Sequence, residues 1–245
     1  MLLVRRQVFI MFTMNNLGSI KIFLDGPNID LIKDNINFID GYTFNPTLFR
    51  KLGVINYLDF CNEIIKIEKN RHLSFEVLSD DEKTMIDEAI SLSELSNNVW
   101  VKIPITFTNG ESTINVLKAI KGKVKLNITA IFTLNQIEYI IDDLVDSSSI
   151  FSIFAGRIYD IGLDAFDITN NISKYVHNKS NCKILWASPR MSYDVISAIK
   201  SKCDIITMSH DLVKKIKLIG TSPDNYSLQT VKMFYEDALT AEYKI

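Results

Sequence analysis

Eight short apolar runs punctuate the chain, at 21–26, 38–45, 73–79, 99–106, 124–132, 150–157, 182–190 and 203–209, each closing on polar or turn residues. Runs of this length, rich in β-branched residues, read as strands buried on both faces. Between most of them apolar residues recur at intervals of three and four, over 48–67, 85–95, 114–120, 137–144, 172–176 and 195–199. That spacing gathers apolar side chains into one stripe of a helix. Strand alternating with helix eight times predicts an α/β chain forming a single (β/α)8 TIM barrel. An extra C-terminal helix is expected near 230–241. The weakest crossover follows the first strand, where 29–32 supports only a short helix. A doubly wound open sheet is the competing architecture, but no glycine-rich phosphate loop follows the first strand. Glycine and proline are sparse and no linker interrupts the pattern, so 20–245 reads as one domain.

Polar residues stand in these runs where a barrel interior is normally filled by Val, Ile and Leu. Side chains two apart on a strand share a face. The third run carries Ser74 and Glu76, the fifth Asn127 and Thr129, and the fourth a lone Lys102. The first ends at Asp25 and the second at Asn45; the sixth has Ser152 with Arg157 beyond it, and the seventh Ser188 and Arg190. An ammonium buried at position 102 loses its hydration unless it is paired, which pushes its pKa down. A lysine neutral enough to attack a carbonyl is what Schiff-base chemistry needs. Each residue also has a structural reading. Lys102 fits an edge strand, Asp25 and Asn45 fit turn or helix-cap positions, and Thr129 is an ordinary strand residue. Glu76 and Arg190 fit a structural ion pair. Singly, the structural readings outweigh the functional ones; the joint register on consecutive strands reverses that judgement.

Composition narrows the classes. The 245 residues are 47% hydrophobic with mean hydropathy +0.10, ample for a packed core. A net charge of -2 and a pI near 6.0, with charges scattered, give no footprint for nucleic acid. Cys61, Cys182 and Cys203, an odd number in apolar or helical contexts, point to a reducing cytoplasm. His72, His177 and His210 form no metal spacing with them. Arg5-Arg6 followed by the apolar 8–12 stretch is too short to span a membrane, and no small-residue cleavage site follows. Residues 1–13 therefore read as a flexible, dispensable extension, with Met14 as an alternative start. No other segment approaches membrane-spanning length, so no membrane partner is expected.

Taken together, the polar segments are similar to those of the transaldolase family, in particular its short-chain branch, across 21–236. Ile22-Phe23-Leu24-Asp25 with Asn28-Ile29 resembles the family's first-strand aspartate motif. Gly41-Tyr42-Thr43-Phe44-Asn45-Pro46-Thr47-Leu48 resembles its Thr-Thr-Asn-Pro-Ser/Thr motif. Ser74-Phe75-Glu76-Val77 is similar to the third-strand segment, and Val101-Lys102-Ile103-Pro104 to the one carrying the Schiff-base lysine. Asn127-Ile128-Thr129, Ser152-Ile153-Phe154-Ala155-Gly156-Arg157, Ala187-Ser188-Pro189-Arg190 and Asp204-Ile205-Ile206-Thr207-Met208 resemble the remaining four in order. The chain departs from the pattern at Gly26-Pro27, Phe44, Ile153 and Pro189, none of which removes a catalytic group.

The resemblance implies that Lys102 forms an iminium with a ketose phosphate and that Asp25 moves the C4 hydroxyl proton. It further implies that Glu76 and Thr129 hold a proton-shuttling water. Thr43, Asn45, Asn127, Ser152 and Phe154 would contact the substrate, and Arg157, Ser188 and Arg190 its phosphate. The expected activity is transfer of a dihydroxyacetone unit between sugar phosphates. The alternatives are fructose 6-phosphate aldolase-type cleavage and an inactive phosphosugar-binding barrel. The family's aldolase branch has glutamine and tyrosine at the positions of Glu76 and Phe154. No metal or organic cofactor is implied. Short-chain members resemble one another in assembling through the C-terminal helix, so a homo-oligomer is expected.

Overall fold

A computed structural model describes residues 17–18, 20–34, 36–145 and 147–243; the expected extension over 1–13 lies outside them. The eight strands are β1 (Lys21–Asp25), β2 (Gly41–Thr43), β3 (His72–Glu76), β4 (Val99–Pro104), β5 (Leu126–Ile131), β6 (Ile150–Ile153), β7 (Lys183–Trp186) and β8 (Ile205–Met208). All neighbours are parallel, and β1 pairs with both β2 and β8, closing the barrel in sequence order. Among the described residues the helices are α1 (Ile29–Lys33), α2 (Pro46–Lys51), α3 (Tyr57–Ile67), α4 (Glu82–Glu94), α5 (Ile114–Ile120) and α6 (Leu134–Glu138). They continue with α7 (Ala155–Asp160), α8 (Ala165–Lys179), α9 (Asp194–Lys200), α10 (His210–Ile216) and α11 (Pro223–Thr240). The expected (β/α)8 architecture is therefore the one observed.

The main core lies between the outward faces of the strands and the helices, where Leu24, Leu73, Phe75, Val101, Ile103, Ile128 and Ile184 are wholly buried. Each such side chain contributes roughly 1.5–3 kcal/mol of transfer free energy, an upper estimate for a compact unfolded chain. A second, smaller cluster of Phe23, Ile150, Leu185, Ala187 and Ile205 fills the barrel itself. Gly41 lets that interior narrow: a Cβ there would lie 2.8 Å from the His72 Cβ and carbonyl oxygen, and 2.9 Å from Phe23.

Several boundaries differ from the periodicity. The 48–67 stripe is two helices, α2 and α3, broken where Gly53 takes φ +70° and Asn56 accepts from the Asp59 N–H to start α3. The sixth apolar run stops as a strand at Ile153, and Ala155-Gly156-Arg157 belongs to α7. The 137–144 segment divides between α6 and a 3-10 turn at Ile141–Asp143. Helix α10, which the spacing did not predict, starts at the Ser209 cap. The C-terminal helix begins earlier than expected, with Ser222 accepting from the Asn225 N–H and Pro223 in its first turn, and it buries none of its residues. Among the described residues, no helix is long and apolar enough to cross a membrane.

Candidate active site

Three ionisable side chains meet at the C-terminal ends of β1, β3 and β4. Register places Glu76 beside Lys102. The Lys102 ammonium, on a residue only 5% exposed, lies 2.9 Å from Glu76 Oε2 and donates to the Phe44 carbonyl at 3.1 Å. The sequence left open whether this lysine is paired; it is, by one carboxylate and one carbonyl. A buried charge needs both, because desolvation otherwise outweighs the attraction. The Phe44 carbonyl is held in place by its own ring, which packs 5.4–5.7 Å from the rings of Phe49, Phe60 and Phe75. Tyr57 donates to the Glu76 carbonyl at 2.7 Å and steadies the other partner. The alternative Glu76–Arg190 ion pair does not form, since Arg190 pairs with Asp160 across the mouth.

Asp25 accepts from Thr43 Oγ1 at 2.7 Å, and the Thr207 hydroxyl stands 2.5 Å from Thr43. A threonine hydroxyl has one proton, so with Thr43 donating to Asp25 the Thr207 hydroxyl donates to Thr43. Burial pushes the Asp25 pKa above the ordinary carboxylate value, against the opposing pull of Lys102 and the Thr43 hydrogen bond.

Thr129 owes its position to a bulge: the β5–β6 register shifts between Ile128 and Ile131, and Ala130 takes φ +60°. Bulges re-aim side chains next to sites. Thr129 lines the cavity, and its buried hydroxyl finds no partner in the protein, on a residue 1% exposed.

The other wall gathers Arg157, Ser188 and Arg190. Ser188 is held at φ +59°, and Gly156 lies so close beneath it that a Cβ would come within 1.6 Å of the Ser188 carbonyl oxygen. Asp194 accepts from the Arg190 and Met191 backbone N–H groups at 2.6 and 3.0 Å, fixing this loop. Arg157 stands 5.4 Å over the Phe154 ring, and Arg190 Nε donates to Asp160 at 3.1 Å.

A cavity of about 580 Å³ joins these walls, with Lys102, Glu76, Asp25 and Thr43 at its base and Thr129, Ser152 and Phe154 along one side. Asn45, Arg157, Ser188 and Arg190 also line it. Asn45 serves both readings, since its side chain accepts from the Leu48 N–H and so caps α2. Asn127 is not in the wall. It is fully buried, donating to Ser74 and accepting from Ser152. Among the described residues, no group of three or more His, Cys, Asp or Glu side chains could hold a metal ion.

The sequence profile of Transaldolase/Fructose-6-phosphate aldolase matches residues 22–244. The chain belongs to this family. A "Probable transaldolase" of Thermoanaerobacter sp. (strain X514) is 33% identical over 199 residues, covering 80% of this chain and 88% of the relative. Another, from Thermoplasma acidophilum, is 33% identical over 202 residues, covering 80% and 87%. Among solved structures, dihydrodipicolinate synthase from Rhodopseudomonas palustris superposes with a TM-score of 0.56 at 14% identity, covering 94% of this chain and 82% of that one. That likeness speaks to the barrel alone.

Within the transaldolase/aldolase frame, the structure adds residues that sequence reasoning passed over. Lys51, at the end of α2, lines the cavity, and its charge opposes the rise in the Asp25 pKa. Thr207 completes the hydroxyl relay to Asp25. A lysine in a helix and a threonine in a strand carry no signal until the barrel brings β8 beside β1. Of the departures, Gly26 has a local cause: it takes φ +61°, and a Cβ would lie 2.7 Å from Leu48.

Proposed function

We propose that this chain transfers a dihydroxyacetone unit between sugar phosphates through a Schiff base on Lys102. The observation that carries the reading is the buried Lys102–Glu76 contact beside an open cavity. An ammonium cannot attack a carbonyl, and Glu76 is placed to take its proton. The freed amine adds to the ketone carbon of a ketose phosphate, giving a carbinolamine. A water held between Glu76 and the unpartnered Thr129 hydroxyl shuttles the protons that release hydroxide as water and leave the iminium. Asp25 then removes the C4 hydroxyl proton. The C3–C4 bond breaks, its electron pair moves into the iminium to form an enamine, and an aldose phosphate departs. An acceptor aldehyde reverses these steps, with Asp25 returning the proton to the new hydroxyl.

Burial suits Asp25 to that double duty, because a raised carboxyl pKa makes it both a stronger base and a competent acid. Arg157, Ser188 and Arg190 bind the phosphate, the guanidinium fork matching an oxyanion. Transfer is preferred to simple cleavage because Glu76 and Phe154 occupy the positions where the aldolase branch has glutamine and tyrosine. A homo-oligomer in a reducing cytoplasm completes the proposal. It is supported by the exposed Val231, Phe234, Tyr235 and Leu239 of α11 and by three buried free cysteines.

The test is mass spectrometry after borohydride reduction in the presence of fructose 6-phosphate. A sugar-derived mass gain absent from Lys102→Ala is expected. No adduct with phosphate binding intact would favour an inactive binding barrel, and rapid release of free dihydroxyacetone would favour the aldolase.

A further inference from the structure

Beneath the reacting cluster, the barrel holds polar groups that the proposed chemistry does not use. His72 opens β3 at the floor, its ring 4.6 Å from Phe23 and stacked 4.0 Å from Trp100. His72 Nε2 lies 2.5 Å from Ser74 Oγ, Asn127 Nδ2 donates to Ser74 Oγ at 3.0 Å, and Ser152 Oγ donates to Asn127 Oδ1 at 2.6 Å. Ser74, Asn127 and Ser152 are buried, and of these four residues Ser152 alone lines the cavity.

Counting protons gives this chain a direction. A serine hydroxyl has one proton and two lone pairs, and a primary amide distinguishes its two ends. Ser152 directs its proton at Asn127, so only lone pairs are left to face the cavity. Ser74 receives the amide N–H, which leaves its own proton for His72 Nε2. Among the described residues no other acceptor is at hand for this buried proton, so the fully bonded arrangement has that nitrogen bare and the imidazole proton on Nδ1. Confinement of the ring, helped by Lys21 and Lys125, pushes the His72 pKa down to about 3, so the imidazole is neutral near pH 7 and one of its nitrogens is bare. With Nε2 protonated, Ser74 could accept from both neighbours only by leaving its own buried proton without an acceptor; the other fully bonded arrangement reverses every link. Ser74 would donate to an inverted Asn127 amide, and Ser152 would point its proton at the substrate. The imidazole thus decides, three hydrogen bonds away, what the cavity wall offers.

We propose that His72 is a positioning residue that, through Ser74 and Asn127, fixes Ser152 as a hydrogen-bond acceptor and selects ketose donors bearing a free hydroxyl beside the carbonyl. The inference rests on the proposed function only for the ketose donor whose hydroxyl meets Ser152.

Two measurements test it. Imidazole ¹⁵N shifts of the full-length wild-type protein read the tautomer without substrate. A bare Nε2 is expected, and a protonated Nε2 overturns the proposal. In steady-state kinetics, His72→Phe keeps a ring between Phe23 and Trp100 but removes both nitrogens. It should raise KM for fructose 6-phosphate about tenfold, the worth of one ordinary hydrogen bond, with kcat changed less than about twofold. The KM for the 1-deoxy and 1-deoxy-1-fluoro analogues, which cannot donate there, should hardly move. His72→Gln, whose amide oxygen can accept from Ser74, should restore the preference. Equal losses on all three donors would overturn it, as would a preference that survives in His72→Phe. Failure of the reaction itself is read separately by the borohydride adduct.

Discussion

The mouth and the floor of this barrel are separated by a single pleat of the same strands, yet they use polar residues in opposite ways. Asp25 sits two residues beyond Phe23, Glu76 beyond Ser74, Lys102 beyond Trp100 and Thr129 beyond Asn127. At the floor, the polar atoms of Ser74, Asn127 and Ser152 answer one another and the remaining space is filled by rings. At the mouth, charges are paired but exposed to a cavity, a threonine hydroxyl lacks a partner, and Ala130 and Ser188 hold left-handed backbone conformations. Closed hydrogen bonding stabilises a fold; open hydrogen bonding with strained backbone marks where something else is meant to bind. Polarity inside a barrel is therefore a poor guide to function until one asks where the hydrogen bonds end.

The largest way to break the contrast is at the mouth. Lys102→Met should lower turnover by at least about 10³-fold in a coupled assay, since it removes the proposed nucleophile and Lys51, the other cavity amine, does not share the contact with Glu76. It should also lower Tm by stranding Glu76, and the Lys102→Met/Glu76→Gln double variant should recover much of that loss. A return of Tm to wild type in the single variant would show that the ion pair contributes nothing.

Next comes the wall proposed to bind phosphate. Gly156→Ala places a methyl against the Ser188 carbonyl, where only backbone movement relieves the collision. It should raise KM for phosphorylated donors by roughly tenfold and cost about 1–3 kcal/mol in urea unfolding. Unphosphorylated dihydroxyacetone, as a donor, should feel the change far less.

A subtler effect belongs to Asp25. The Thr43 hydrogen bond stabilises the carboxylate and so lowers its pKa; Thr43→Val removes it. The acid limb of kcat/KM should therefore move to higher pH, and a limb that stays in place would separate it from Asp25.

The effect at the floor shows only as acid is added. The His72 pKa falls from 6.5 to about 3 on folding, so the unfolded chain binds the extra proton. Stability from this site is present above pH 6.5 and is lost as pH falls from there toward 3. Urea midpoints of His72→Phe should decline less steeply than wild type across that window.

The barrel was legible because its alternation of apolar runs is long-range and repeated, and the site because its polar residues share a register. What escaped had local or tertiary causes. Gly53 splits one apparent stripe into α2 and α3 through a left-handed cap that no hydrophobic spacing encodes. The sixth run stops as a strand at Ile153, and Gly156 lies in α7 with its backbone against Ser188. Asn127 shared its parity with Thr129, Glu76 and Lys102, but parity does not reveal depth, and one layer down the amide is enclosed by serines. Lys51 and Thr207 enter the cavity by way of neighbours distant in sequence.

Ring closure also bears on how the protein is made. Because β1 pairs with β8, Lys21 hydrogen-bonds to the Asp204 carbonyl and the hydroxyl of Thr207 serves Asp25 only once the final strand is in place. A growing chain on the ribosome carries β1 with one bare edge throughout the synthesis of the seven strands that follow it. Such an edge is an invitation to mispair. Truncation before residue 205 should thus yield insoluble fragments rather than a weakened barrel, with Asp25 left without its relay.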